Sequence, residues 1–130
     1  LGRPYELNGK VIKGNGVGRT IKYPTANIEI KETYKLIPTK GVYLVKIYLG
    51  ENEFSGMMNI GNRPTINGLN QTIEVHIFDF DKDIYGKNLK VCFLKKIRKE
   101  KKFDSLPSLK SQLKKDEENC KRILAEHSEN

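Results

Sequence analysis

The sequence predicts a mainly β chain, a small antiparallel barrel of six strands followed by one amphipathic α-helix. Three observations carry this. Short segments rich in β-branched and aromatic residues recur along the first hundred positions, separated by Gly, Pro, Asn and Asp. Beyond Phe103 the apolar spacing changes to three, four or seven residues, the period of a helix. The chain has 130 residues, enough for one core but not for two domains. Six strands in so small a sheet would leave exposed edges if open, and closure into a barrel removes them.

The first strand is expected around Lys10-Val11-Ile12-Lys13, cut short by the glycines that follow, and the second over Asn27 to Ile30. Gly41-Val42-Tyr43-Leu44-Val45-Lys46-Ile47-Tyr48-Leu49 is the strongest strand. The tight Gly50-Glu51-Asn52 connection turns it into a fourth, Glu53 to Ile60. Gly61 to Gly68 holds glycines and Pro64, which favour turns over ladder pairing, so a long loop is expected there. Gln71 to Phe80 and Asn88 to Ile97 complete the strands. Leu106, Leu109, Leu113, Cys120, Ile123 and Leu124 then fall on one helical face. Asp104 or Ser105 can cap the first turn, where Pro107 is tolerated because its missing N–H has no intrahelical partner. The barrel is thus expected over about residues 8–98 and the helix over about 105–126.

Twenty-four Lys and Arg against sixteen Asp and Glu give a formal charge of +8, which points to an anionic partner: nucleic acid, a membrane surface or a phosphorylated small molecule. No apolar run reaches the ~20 residues of a membrane span, and the opening Leu1-Gly2-Arg3-Pro4-Tyr5 lacks the apolar core of a signal peptide. Cys92 and Cys120 are too few for a zinc site or a disulfide framework and read as reduced thiols of a cytoplasmic protein. The basic run from Lys95 to Lys102 keeps one alternative open, a basic barrel binding single-stranded nucleic acid. Five Phe, six Tyr and no Trp form no RNA-recognition aromatic motif.

Three stretches carry chemistry. In Gly14-Asn15-Gly16-Val17-Gly18-Arg19-Thr20, closely spaced glycines let backbone N–H groups approach an anion and Arg19 adds a fork of donors. The stretch fits neither the Walker loop nor the dinucleotide fingerprint. In Pro24-Thr25-Ala26-Asn27, a hydroxyl and an amide two residues apart on an extended chain face the same side. Such neutral oxygens suit Mg²⁺ when nucleotide phosphates supply the charge. In Thr72-Ile73-Glu74-Val75-His76-Ile77-Phe78, the odd positions form an apolar face and leave Glu74 and His76 together on the other. Read singly, these stretches are a flexible turn, a Pro turn with a hydrogen-bonded Asn and a surface strand carboxylate.

Taken together and in order, Gly14-x-Gly16-x-Gly18-Arg19-Thr20-Ile21, Tyr23-Pro24-Thr25-Ala26-Asn27, Ile60-Gly61-x-Arg63-Pro64-Thr65, Glu74-x-His76-Ile77-Phe78-Asp79-Phe80, Tyr85-Gly86 and Arg98-x-Glu100-Lys101-x-Phe103-Asp104-Ser105-Leu106 resemble the riboflavin kinase family over about residues 2–125. The opening Leu1 to Tyr5 resembles the junction in bacterial bifunctional riboflavin kinase/FMN adenylyltransferases, where this module is the C-terminal half. The resemblance implies a six-stranded Greek-key barrel with a C-terminal helix, preceded in the parent chain by an adenylyltransferase domain absent here. It implies transfer of the ATP γ-phosphoryl group to the ribityl 5′-hydroxyl of riboflavin, giving FMN and ADP, with no nucleic-acid or membrane partner.

The resemblance also implies roles for individual residues. Glu74 matches the catalytic carboxylate, and Thr25 and Asn27 match the Mg²⁺ and ATP positions. Gly14, Gly16, Gly18 and Arg19 match the nucleotide phosphate loop, and Ile77, Asp79 and Tyr85 match positions lining the nucleotide site. Arg98, Glu100 and Phe103 match flavin-contacting positions. Lys22, Lys99 and Ile66 depart from the usual pattern, and none removes a group the chemistry requires.

Overall fold

The computed structural model describes residues 5–12, 25–30, 37–65, 68–80 and 82–128. Six strands, β1 (Tyr5–Ile12), β2 (Ala26–Ile30), β3 (Gly41–Leu49), β4 (Asn52–Thr65), β5 (Gly68–Ile77) and β6 (Asn88–Arg98), precede one helix, α1 (Leu106–Ser128). All pairings are antiparallel and close in the order β1-β2-β5-β4-β3-β6. β3, β4 and β5 follow one another as neighbours, and β6 returns to lie beside β3, which is a Greek key.

Strand alternation sorts the side chains into two cores. Inside the barrel, Val11, Ile28, Val45, Ile47, Met58, Ile60, Ile73, Val75, Ile77, Leu89 and Val91 pack together. On the outside, Val42, Leu44, Met57 and Phe78 make an apolar seat for Cys120 and Ile123 of α1. β3 is therefore buried on both faces through Val45, which explains its unbroken apolar run. Leu113 and Leu124 pack at the margin of the seat, whereas Leu106 remains 47% exposed. Of the two candidate caps, Ser105 fills the role: its Oγ accepts a hydrogen bond from the Ser108 N–H at 3.2 Å.

Three expectations need correction. β1 begins at Tyr5, earlier than Lys10, because Tyr5 to Lys10 pair with Phe93 to Asn88 of β6. β5 ends at Ile77, where the Phe78 N–H bonds the Ser55 carbonyl and the chain turns. Gly61 to Gly68 is no long loop. Pairing between β4 and β5 continues outward through Gly61↔Thr72 and Pro64↔Leu69 to Thr65↔Gly68. β4 pairs with β3 only as far as Ile60, so this outer stretch is a two-stranded arm, and Pro64 needs to serve only one neighbour.

Gly9, inside β1, shows how tightly the barrel closes. A Cβ there would lie 2.2 Å from Ile28 Cγ2 and 2.9 Å from the Glu29 carbonyl oxygen. Gly9→Ala is expected to destabilise the fold by about 1–3 kcal/mol through overpacking, read as a lower urea midpoint at unchanged slope.

Both cysteines are reduced and buried. Cys120 sits in the seat of α1, and burial, with Asp116 and Glu117 adding to it, pushes its thiol up to about 12. Burial raises Cys92 as well. Cys120 should therefore resist iodoacetamide at pH 8 in the folded protein and react only as the chain unfolds, measured by mass spectrometry along a urea series. Alkylation at the native-state rate of an exposed thiol would contradict the packing of α1.

Candidate active site

A row of residues crosses the outer face of the barrel. Asn27 of β2 lies opposite Glu74 of β5, and Glu74 lies opposite Asn59 of β4. The row continues from Asn59 to Val42 of β3 and from Val42 to Arg98 of β6. Its direction is set by alternation. Ala26 and Ile28 flank Asn27 and pack into the barrel, Ile73 and Val75 do so around Glu74, and Met58 and Ile60 around Asn59. The three polar side chains therefore stand together on the outside, beside the seat of α1. Asn27 is buried, one of two buried polar residues among those described, while Glu74 is half-buried and Asn59 exposed. Thr25, exposed, lies one residue before β2, two positions from Asn27.

The connection from β6 to α1 borders this row. Glu100 reaches over Gly61: a Cβ on Gly61 would lie 2.8 Å from its Oε1 and 3.5 Å from Thr72 Oγ1. The absent side chain of Gly61 thus makes room for a second carboxylate one step along the face from Asn59 and Glu74. Phe103 is half-buried, with the Arg98 guanidinium and the Lys101 ammonium each 5.7 Å from its ring centre.

Arg98 is held from the other side. Its Nε donates to both carboxylate oxygens of Asp116 at 3.0 Å, and its third nitrogen meets Asp116 Oδ2 at 2.9 Å. Arg98 also donates to the Lys99 carbonyl, and Gln112 Nε2 donates to Asp116 Oδ1 at 2.9 Å. The Asp116 side chain is 3% exposed and that of Arg98 19%. This bidentate pair ties α1 to β6. Sequence reading missed Asp116, although its position was visible: it interrupts the apolar stripe between Leu113 and Cys120 at helical spacing, where an acid needs a partner.

The remaining predicted site residues lie in different surroundings. The side chain of Ile77 belongs to the interior core, so only its backbone is available to a ligand outside the barrel. Its odd-numbered position in the 73/75/77 stripe already pointed inward. Asp79 is exposed in a left-handed conformation, with φ 54°, and shares a shallow groove with Ser55, Phe78, Lys121 and Leu124. Tyr85 is 59% exposed. Its N–H donates to Asp83 Oδ1, and the turn around it is bonded to β1 through Gly86 N–H to the Val11 carbonyl. That places Tyr85 near the end of β1, whose Ile12 pairs with Asn27. Gly14, Gly16, Gly18 and Arg19 lie outside the described residues.

Among the described residues, no three His, Cys, Asp or Glu gather into a cage for a metal ion, and no helix is long and apolar enough to cross a membrane. Fold and site together define a closed Greek-key barrel with a carboxylate between two amides at the edge of its covering helix.

The family model described as "Flavokinase: Riboflavin kinase" matches residues 1–124. The chain is 52% identical over 125 residues to a bifunctional riboflavin kinase/FMN adenylyltransferase of Haemophilus influenzae, covering 95% of this chain and 40% of that protein. The protein of the same description from Bacillus subtilis is 39% identical, covering 96% of this chain and 40% of the relative. Solved structures share the fold, among them these two. One is the Trypanosoma brucei riboflavin kinase, with TM-score 0.63 and 25% identity over 95% of this chain and 81% of the other. The other is a Streptococcus pneumoniae chain described as a macrolide-efflux protein, with TM-score 0.85 and 41% identity over 91% of this chain and 38% of the other. The chain belongs to the riboflavin kinase family. It spans about two fifths of the length of the curated relatives it matches.

Proposed function

We propose that this chain transfers the γ-phosphoryl group of ATP to the ribityl 5′-hydroxyl of riboflavin, with Glu74 as the proton acceptor. The observation that carries the reading is the placement of Glu74 directly opposite Asn27 on the outer face, beside the helix-covered seat. In the transfer, the alcohol oxygen forms a bond to the γ-phosphorus, the bond from that phosphorus to the β,γ-bridging oxygen breaks, and ADP leaves with the released electron pair. The alcohol proton passes to the Glu74 carboxylate as the new bond forms. Little covalent chemistry is asked of the protein, so holding donor and acceptor in line is its main task.

Thr25 and Asn27 supply neutral oxygens at alternate positions leading into β2. They fit a divalent cation that arrives on the triphosphate, and with no carboxylate cage among the described residues they do not fit one held by those residues alone. Bound there, Mg²⁺ would neutralise charge on the transferring phosphoryl group. Gly14, Gly16, Gly18 and Arg19 are assigned to the phosphates, and Asp79, Tyr85 and the Ile77 backbone to the rest of the nucleotide. Glu100 and Phe103 are assigned to the flavin: Phe103 offers a ring face and Glu100 an acceptor on the same side of the barrel as Glu74. Arg98 joins them only through donor capacity left over from Asp116.

The relatives' bifunctional description supports a parent chain that also carries an adenylyltransferase domain, which we place before this one; the cytoplasm is proposed as its compartment. The efflux description is not carried over, since the family model over residues 1–124 and the curated relatives are described as riboflavin kinases. Family membership likewise disfavours single-stranded nucleic acid as the partner of the basic run. The decisive experiment incubates the chain with riboflavin, ATP and Mg²⁺ and separates FMN from FAD by chromatography. FMN without FAD is expected, and no FMN at any Mg²⁺ concentration would sink the reading.

A further inference from the structure

We propose that Asn59 is a positioning residue for the Glu74 carboxylate, an inference that rests on Glu74 being the proton acceptor. Asn59 stands opposite Glu74 across the β4–β5 ladder and points outward with it, because its neighbours Met58 and Ile60 are 1% and 0% exposed inside the barrel. Directly opposed residues in an antiparallel pair hold their Cβ atoms about 4.5–5.5 Å apart, within reach of an amide and a carboxylate.

The side of Asn59 away from β5 is mostly apolar. On the β3 side Asn59 faces Val42, and two positions back along β4 lies Met57, both part of the apolar seat under α1. Two positions forward is Gly61, whose face is occupied by Glu100. The Glu74 carboxylate lies directly across the ladder, with Thr72 and His76 on the diagonals and Glu100 above Gly61, and an Asn amide offers two N–H donors.

The two amides flanking Glu74 then divide their work. Asn27, buried on the β2 side, is the one assigned to the cation and phosphates. Asn59 is left to bond one oxygen of Glu74, fixing the carboxylate plane so that the second oxygen faces the substrate hydroxyl. A base that must meet a proton at about 3 Å gains from such orientation, which a freely rotating carboxylate lacks.

The test is a set of Asn59 variants in the FMN-forming assay, each with a thermal midpoint. Asn59→Leu removes the donor at similar size and should lower kcat about 10- to 100-fold, the range of a hydrogen bond to a charged group, with KM for ATP and the thermal midpoint unchanged. Asn59→Asp keeps the shape but offers a second carboxylate instead of a donor, and should lose at least as much. Asn59→Gln keeps a donor and should recover most of kcat. In a Glu74→Gln background, Asn59→Leu should add little. The inference is overturned if Leu and Asp variants keep wild-type kcat, if Gln falls as far as Leu, or if the loss adds fully to that of Glu74→Gln. Full turnover in Glu74→Gln alone would instead remove the base assignment and this inference with it.

Discussion

Glu74→Gln is expected to lower the rate of FMN formation by about 10²–10⁴-fold, the usual contribution of a positioned general base, while riboflavin still binds. The substitution keeps side-chain length and leaves one carbonyl oxygen to accept hydrogen bonds across the ladder, so the half-buried site suffers no steric change. Only the ability to take a proton is lost. The loss should therefore fall on kcat, with little change in riboflavin affinity followed by quenching of flavin fluorescence. A variant that binds flavin and turns over normally would show that the alcohol proton leaves by another route. A variant that neither binds nor turns over would place Glu74 among the binding groups.

The row containing Glu74 shows what a linear reading can and cannot reach. That Glu74 points away from the core follows from three alternating apolar residues, Ile73, Val75 and Ile77, and the structure has them in the barrel interior. The same alternation sends Ile77 inward, which the family likeness alone did not convey. That Glu74 meets Asn27 and Asn59 depends on register between strands distant in sequence, and no local pattern encodes it.

The paired arm of residues 61–65 and 68–72 escapes a linear reading for a related reason. Glycine and proline favour turns, but a strand that pairs on one side only tolerates them, and beyond Ile60 β4 has a single partner. Composition likewise overstated the basic run. Lys96 lies 5.7 Å over the Tyr43 ring and donates to Thr39 Oγ1, and Lys101 lies over Phe103, so part of that charge serves local packing.

Removing the Asp116 carboxylate should have the largest effect on stability. Asp116→Ala leaves the Arg98 guanidinium with 19% side-chain exposure and no carboxylate partner, and it strands Gln112 as well. Breaking one side of a buried pair typically costs about 3–5 kcal/mol, which for a chain of this size lowers the melting temperature by roughly 10 °C or more. The pair itself need not be stabilising against an apolar substitute. Arg98→Met combined with Asp116→Leu should therefore recover much of the loss, because the space between β6 and α1 is already bordered by Ile97 and Leu113.

This double variant also separates the two roles open to Arg98. If Arg98 serves only to fix α1 and the Glu100–Phe103 connection, restored stability brings riboflavin affinity back with it. If Arg98 also bonds the flavin, the double variant will melt near the wild-type temperature and still bind riboflavin weakly. The geometry favours the first outcome, since Asp116 and the Lys99 carbonyl already engage Nε and both terminal nitrogens of the guanidinium, leaving two of its five N–H donors for any flavin contact. Calorimetric melting and a flavin titration on the two single variants and the double close the cycle. Wild-type stability in Asp116→Ala would mean that the apolar seat of α1 holds the helix without the ion pair.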